Sequence, residues 1–379
     1  MFVTGSLCHG GAERHSITIM NRLAERGHEC HAVYIKSGAG QLDRIRLRDG
    51  GSVRCLGATR YLDLRAVAKF TAHIARIRPS VIVAANQYAL LYARLALSLS
   101  DVRAPLAVTF HSTLLPNAKE WLQMLYYRPL FWTADCLVFV CQAQRRHWLR
   151  RLVGARRNEM IYNAVDLGYW RPWGGRERAA ERARLGFAAN DLVIGMCAVF
   201  RPEKNHLQLV EAIGALRRRG IAARALLIGD GEMRPAIEAR ARKLGVADAV
   251  LITGFQNDVR PFIAAIDVAV LCSTAVETFS LAALEAMALG KPVVLTDIGG
   301  AAEMVFPGRN GFLFPVGDTG ALVARLATLA EPGMAVSMGR NAFEVVQAQF
   351  SEATMVDRYE EVLLELCGKR LRPGEELAH

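Results

Sequence analysis

Two carboxylates, Glu277 and Glu285, flank the segment Thr278-Phe279-Ser280-Leu281. The apolar run from Val268 to Ser273 before it reads as a buried strand, and the stretch after it reads as a helix. The N–H groups at such a helix start, together with the positive end of its dipole, form a site for a diphosphate. Neither carboxylate has to touch the phosphate. Both can accept hydrogen bonds from sugar hydroxyls on either side of it. An acidic residue near a helix start also serves simply to offset the dipole. Glu285 resists that plainer account, because Leu281, Ala282, Leu284, Ala286, Met287 and Leu289 make its helix apolar nearly all round, and such a helix is buried.

An anion site needs cations, and Arg201-Pro202-Glu203-Lys204-Asn205-His206 supplies two. The segment follows a strand expected to end near Phe200 and opens a helix. Cations at a helix start oppose its dipole unless an anion lies between them. Arg201 can grip phosphate with its fork and Lys204 can add a point charge; the alternative is a solvated surface pair. Three further constellations follow expected strands. The first is Gly5 to Glu13, with Gly10 and Gly11, whose glycines permit close approach of backbone to phosphate. Its spacing is not G-x-G-x-x-G, and no acidic residue closes the next strand, so a dinucleotide site of the dehydrogenase kind is poorly supported. The second is His111 in Thr109-Phe110-His111-Ser112-Thr113; a histidine at a strand end is more often structural than catalytic unless other site residues converge on it. The third comprises the turns Gly229-Asp230-Gly231, expected to be architectural, and Gly254 to Asp258, which could hold a nucleobase through its backbone.

These residues must be positioned by strands and helices, and the chain alternates the two throughout. Apolar runs at Phe2 to Thr4, Glu29 to Ile35, Ser52 to Leu56, Val81 to Ala85, Leu106 to Phe110, Leu137 to Val140 and Glu159 to Tyr162 occupy the first half. Leu192 to Val199, Ala225 to Ile228, Val250 to Thr253, Val268 to Cys272, Val293 to Thr296 and Phe312 to Phe314 occupy the second. The pattern is that of two α/β, doubly wound parallel-sheet domains, and 379 residues suit two. The expected division is 1–165 and 166–350, with the Gly-, Pro- and Trp-rich stretch 166–175 as linker and a last helix over about 351–367. In such sheets ligands bind beyond the carboxyl ends of the strands, so two of them facing each other leave a cleft.

Residues 1–160 carry a net charge of +13 and the remainder −2. Clusters at Arg44, Arg46 and Arg48, at Lys69, Arg76 and Arg78, and at Arg145, Arg146, Arg150, Arg151, Arg156 and Arg157 suit an anionic membrane surface or an acidic acceptor. Neither an aromatic-interleaved basic strand nor a recognition-helix motif is present, so nucleic acid is not an expected partner. No apolar stretch reaches membrane-spanning length and no secretory signal is seen, which leads to an expected cytoplasmic location. Eight cysteines without a C-x-x-C pair read as buried free thiols rather than a zinc site.

In order and placement these segments resemble the retaining glycosyltransferases of family 4, over nearly the whole chain and most specifically in its C-terminal half. The resemblance rests on Gly10-Gly11-Ala12-Glu13, His111, Asn163-Ala164-Val165-Asp166, Arg201 to Lys204, Gly229 to Glu232, Glu277 with Glu285, and Gly290 to Val294. It implies the GT-B fold, with an N-terminal acceptor domain completed by the last helix and a C-terminal nucleotide-sugar domain. It further implies that Arg201 and Lys204 neutralise the donor diphosphate, helped by backbone at Gly10, Gly11 and the segment Thr278, Phe279, Ser280 and Leu281. Glu285 would hold the ribose, Glu277 the transferred sugar near His111, and Phe255, Gln256 and Asp258 the base. With no Asp-x-Asp motif, neither metal nor cofactor is expected, and substitution would occur on one face of the sugar through an oxocarbenium-like state. UDP-sugars are the preferred donors and a glycan or lipid-linked molecule the acceptor. Two departures stand out: the first strand is short, and Ser280 replaces a frequent glycine. Rival readings are a non-hydrolysing nucleotide-sugar epimerase and a non-catalytic nucleotide-sugar-binding protein.

Overall fold

A computed structural model describes residues 1–8, 11–111, 118–275 and 277–368. The chain divides into two compact units, Met1–Tyr162 joined by the segment from Ala353, and Asn163–Glu352.

The first unit runs β1 (Phe2–Thr4), α1 (Gly11–Glu25), β2 (His31–Tyr34), β3 (Ser52–Cys55), α2 (Leu64–Ile77) and β4 (Ile82–Ala85). It continues with α3 (Asn86–Ser98), β5 (Leu106–Phe110), α4 (Ala118–Trp132), β6 (Cys136–Phe139), α5 (Gln142–Leu149) and β7 (Arg157–Met160). The second holds α6 (Gly175–Arg184), β8 (Leu192–Cys197), α7 (His206–Arg218), β9 (Ala223–Ile228), α8 (Arg234–Lys243), β10 (Val250–Ile252) and α9 (Arg260–Ala265). After these come β11 (Val268–Leu271), α10 (Leu281–Ala288), β12 (Val293–Thr296), α11 (Ala301–Met304), β13 (Gly311–Phe314), α12 (Thr319–Leu329) and α13 (Met334–Gln349). The final helix, α14 (Glu352–Leu366), packs in the first unit through all but its first residue.

Both sheets are parallel, in the orders β3-β2-β1-β4-β5-β6-β7 and β10-β9-β8-β11-β12-β13. The inner strands β1, β2, β4, β5 and β6 are buried at every position, as expected for strands covered on both faces. The edge strands β3 and β7 are partly exposed and polar. β7 lies two residues earlier than its apolar pattern indicates. Arg157 bridges Glu159 and Glu365, and Arg358 of α14 bridges Glu159, so ion pairs hold this strand in place of apolar contacts. The strand expected to reach Val199 ends at Cys197. Of the eight cysteines, none in a disulfide, only Cys30, Cys136, Cys141 and Cys272 are buried; Cys8 is exposed, which corrects the reading of all as buried thiols.

The order reverses between β1 and β4 in one sheet and between β8 and β11 in the other. At such a switch point the loops leaving adjacent strands diverge to opposite faces and open a crevice.

Candidate functional site

In the second unit the loops after β8 and β11 flank the switch point and hold Arg201, Lys204 and Glu277. Arg201 caps a single three-residue 3-10 turn, Pro202–Lys204, before α7 begins at His206. The two cations therefore precede α7 rather than opening it, and their placement comes from the turn. Two glycines force this turn's position. Gly229 (φ +141°) and Gly231 (φ +155°) sit so close to the 198–200 backbone that a Cβ would lie 2.2 Å from Ala198 O and 2.6 Å from Phe200 O. The N–H of Phe200 donates to Asp230 O at 2.9 Å. The Gly229-Asp230-Gly231 turn is thus architectural, as expected.

Lys204 Nζ donates to Glu277 Oε2 at 2.7 Å, and Ser273 Oγ donates to the same oxygen at 2.9 Å. A backbone bond from Thr274 N to Glu203 O at 2.8 Å ties the two loops together. Both side chains of the ion pair remain partly exposed. Arg201 points outward, with 63 % of its side chain exposed and Glu203 no nearer than 4.0 Å.

The loop 277–280 is clamped from two further sides. Asn163 Nδ2 donates to Phe279 O at 3.0 Å. Gly300 N donates to Thr278 O at 2.8 Å, and Gly299 (φ +59°) approaches so closely that a Cβ would lie 1.6 Å from Glu277 O. Phe279 is buried against Phe350, so its backbone rather than its ring faces any ligand here. Ser280 caps α10, its Oγ accepting from Ala283 N at 3.3 Å. One N–H group of the helix start is therefore already satisfied by the serine. Leu281 opens the helix, and Glu285 is buried at 6 % exposure among its apolar neighbours. Glu285 lies near the end of β8: burial first, then the Glu285 charge, pushes the Cys197 thiol up to about 12.

The loop after β10 is less committed to the site. Phe255 is 78 % exposed, Gln256 Nε2 donates back to Thr253 O at 2.9 Å, and Asp258 is held by Arg260 at 2.7 Å. The Arg260 bonds keep the Asp258 carboxyl below its ordinary range, and the guanidinium stacks 3.7 Å over Tyr169.

In the first unit, Gly10 lies outside the described residues. Gly11 opens α1 with open space where a Cβ would project. His111 follows β5; its N–H donates to Asn86 Oδ1 at 3.0 Å, and Asn86 itself adopts φ +64° at the end of β4. The His111 ring stands edge-on to His15 at 4.6 Å, and His15 Nε2 is 3.0 Å from the Tyr359 hydroxyl. Burial pushes the His111 imidazole down to about 4, so it is neutral at physiological pH.

Two family models account for the two units: that of glycosyltransferase family 4 matches 9–169, and that of glycosyl transferases group 1 matches 177–345. The lipopolysaccharide core biosynthesis glycosyltransferase LpsE of Rhizobium meliloti is 30 % identical over 372 residues, 93 % of this chain and 96 % of that one. The chain belongs to the family 4 glycosyltransferases. The putative glycosyltransferase EpsD of Bacillus subtilis is also 30 % identical, over 64 % of each chain. Among solved structures, Anabaena Alr3699/HepE in complex with UDP matches with a TM-score of 0.85 at 25 % identity, covering 96 % of this chain and 99 % of that one. Its complex with UDP-glucose matches at 0.81 and 26 % identity. The fold is GT-B, with two Rossmann-like α/β units. Among the described residues no cluster of three potential metal ligands occurs, and no helix is long and apolar enough to cross a membrane.

Sequence reasoning passed over three residues that position the candidates within each unit. Ser273 shares Glu277 with Lys204, Gly299 fixes the Glu277 carbonyl, and Asn86 holds the His111 backbone. Each had a sequence signal: a serine ending an apolar strand, a Gly-Gly pair after Thr296-Asp297-Ile298, and an asparagine ending a strand.

Proposed function

We propose that this transferase moves a sugar from a nucleoside diphosphate, UDP by preference, to a glycan or lipid-linked acceptor with retention of configuration. The observation that carries the reading is the Lys204–Glu277 pair, held at 2.7 Å before the start of α10 at a switch point. A diphosphate seated against α10 would draw Lys204 toward it and free Glu277 for sugar hydroxyls, while the exposed Arg201 closes on the phosphate. Charge developing on the departing diphosphate is then met by two cations and the remaining helix-start N–H groups, so the proposed reaction needs no metal. Glu285 is assigned to the ribose, and the exposed Phe255 with the Gln256 and Asp258 backbone to the base. The neutral His111 is assigned to the sugar as a hydrogen-bonding and packing group. Backbone at Thr278, Phe279, Ser280 and Leu281 is assigned to the donor diphosphate, as is the glycine loop of Gly10 and Gly11.

The UDP and UDP-glucose complexes of the Anabaena protein support the choice of base. The lipopolysaccharide role of the Rhizobium relative supports a cell-surface glycan as product. The basic first unit is proposed to attach to the anionic inner face of the membrane, where lipid-linked acceptors lie.

A thermal-shift panel of UDP- and GDP-sugars identifies the donor, because a tight ligand raises the melting temperature by mass action. Incubation of the best donor with acceptor extracts, followed by nucleotide analysis, completes the test. Release of nucleoside diphosphate only with acceptor is expected. Conversion of donor without acceptor would instead indicate epimerisation, and binding without release a non-catalytic protein.

A further inference from the structure

Helix α4 is apolar on two opposite faces. Met124, Tyr127 and Phe131 are buried at 1, 2 and 0 % exposure and form its core face. Leu122, Leu125, Tyr126 and Trp132 are 68, 47, 76 and 53 % exposed. With the exposed Pro129 they recur at helical spacing and form one continuous outward stripe about 15 Å long. A helix of a soluble domain turns its polar residues to water; this face carries leucines, a tyrosine and a tryptophan there.

The stripe continues off the helix. Trp132 Nε1 donates to Leu152 O at 2.9 Å, and Leu152 is 65 % exposed at φ +59°, a conformation costly for leucine. Around this tip the charge is one-sided. Residues 121–158 contain seven arginines, Arg128, Arg145, Arg146, Arg150, Arg151, Arg156 and Arg157, against a single acid, Asp135. Arg146, Arg150 and Arg156 are exposed, and Arg156 is 3.4 Å from Asp135.

We infer that the outer face of α4, with the Trp132–Leu152 tip, is the surface by which this chain docks on an anionic lipid bilayer. Leucines on a helix lying in the plane of the interface enter the acyl boundary, tryptophan and tyrosine suit headgroup depth, and a rim of arginines meets anionic headgroups. A protein partner could bury the apolar stripe, but the excess of arginine over acid in residues 121–158, with Arg146 and Arg150 exposed, favours a surface of dense negative charge. The inference rests on the proposed attachment of the basic unit to membrane and names the element that performs it.

The test is flotation of the full chain with vesicles of phosphatidylcholine alone or mixed with phosphatidylglycerol, at low and high salt. The parent protein is expected to float with the anionic vesicles. Leu125→Glu and Tyr126→Glu should each weaken partitioning about tenfold without changing the melting temperature. Brominated lipid should quench parent fluorescence, and this quenching should largely vanish in Trp132→Phe, a readout that requires no folded glutamate variant. Salt-sensitive flotation that both glutamate variants and Trp132→Phe leave unchanged would overturn the role of α4 while sparing electrostatic attachment. Absence of flotation would remove both. Conversion of a dimer to a monomer by Leu125→Glu, with flotation intact, would reassign the stripe to a second copy of the chain.

Discussion

Lys204 Nζ and Glu277 Oε2 are 2.7 Å apart although they belong to loops leaving different strands, β8 and β11. The Ser273 hydroxyl occupies the same carboxylate oxygen, so the lysine is not the sole hydrogen-bond donor to Glu277. With its side chains 24 and 17 % exposed the pair is partly desolvated, a cost that offsets much of its Coulombic gain. The proposed function gives the pair a further role, ligand exchange, in which Lys204 leaves Glu277 for phosphate. Lys204→Ala and Glu277→Ala should therefore each lower turnover by about 10²-fold or more, while the melting temperature stays close to that of the parent. A double variant that loses no more than the worse single one would show that the two act as a unit. Wild-type rates in either single variant would remove that residue from the reaction.

Arg201 makes a separate prediction because its side chain, unlike its backbone, supports little of the fold. Its side chain is mostly solvated, and its glutamate neighbour is at the limit of an ion pair. Arg201→Ala should leave thermal unfolding unchanged and raise the concentration of nucleoside diphosphate needed to protect the protein. Arg201→Lys should restore only part of the loss, since an ammonium cannot grip phosphate through two parallel bonds. Calorimetric titration with UDP distinguishes these outcomes, and equal affinity in all three proteins would contradict the assignment.

The strand pattern could be read because the inner strands are short, largely apolar and mostly buried runs, interrupted only by single residues such as His31, Thr109 and Arg224. It shifted at β7, where Arg157, Glu159 and Arg358 replace apolar contacts with ion pairs. Glu277, Lys204 and Arg201 were legible from residue type and position after a strand. Their contact was not, because it depends on the turn that Gly229 and Gly231 press against Ala198 and Phe200. The stacking of His111, His15 and Tyr359 was equally hidden, since His15 and Tyr359 are 344 residues apart in sequence. Side-chain packing across such separations leaves no periodic trace.

Gly299 tests whether the backbone of the Glu277 loop matters beyond its side chains. A Cβ there would overlap Glu277 O, and the residue's φ of +59° is itself unfavourable for alanine. Gly299→Ala should cost about 1–3 kcal/mol of stability and weaken donor binding, because the displaced loop carries Thr278 and Glu277 with it. Gly308→Ala, at φ +80° with open space around it, isolates the conformational part of that cost. Denaturant unfolding of the pair, with donor titration, separates steric displacement from backbone strain. A Gly299→Ala protein no less stable than Gly308→Ala, with unchanged affinity, would show that the clamp is dispensable.

The buried histidines make stability depend on pH in a defined direction. His111 and His206 are both pushed from 6.5 to about 4, by burial in each case and additionally by Lys204 for His206. Well above pH 6.5 they are neutral in folded and unfolded chains alike, and there they contribute no pH dependence. Below 6.5 the unfolded chain takes up protons that the folded one refuses, so the unfolded state gains. Stability therefore falls as pH drops from 6.5 toward 4, by about 1.4 kcal/mol per pH unit for each histidine at the steepest. His206 packs on the Phe200 ring at 4.5 Å, so His206→Leu keeps an apolar contact while removing the titrating group. The slope of unfolding free energy against pH between 6.5 and 5 should then decrease by up to one proton relative to the parent. Equal slopes in parent and variant would mean that His206 takes up its proton without opposition from the fold.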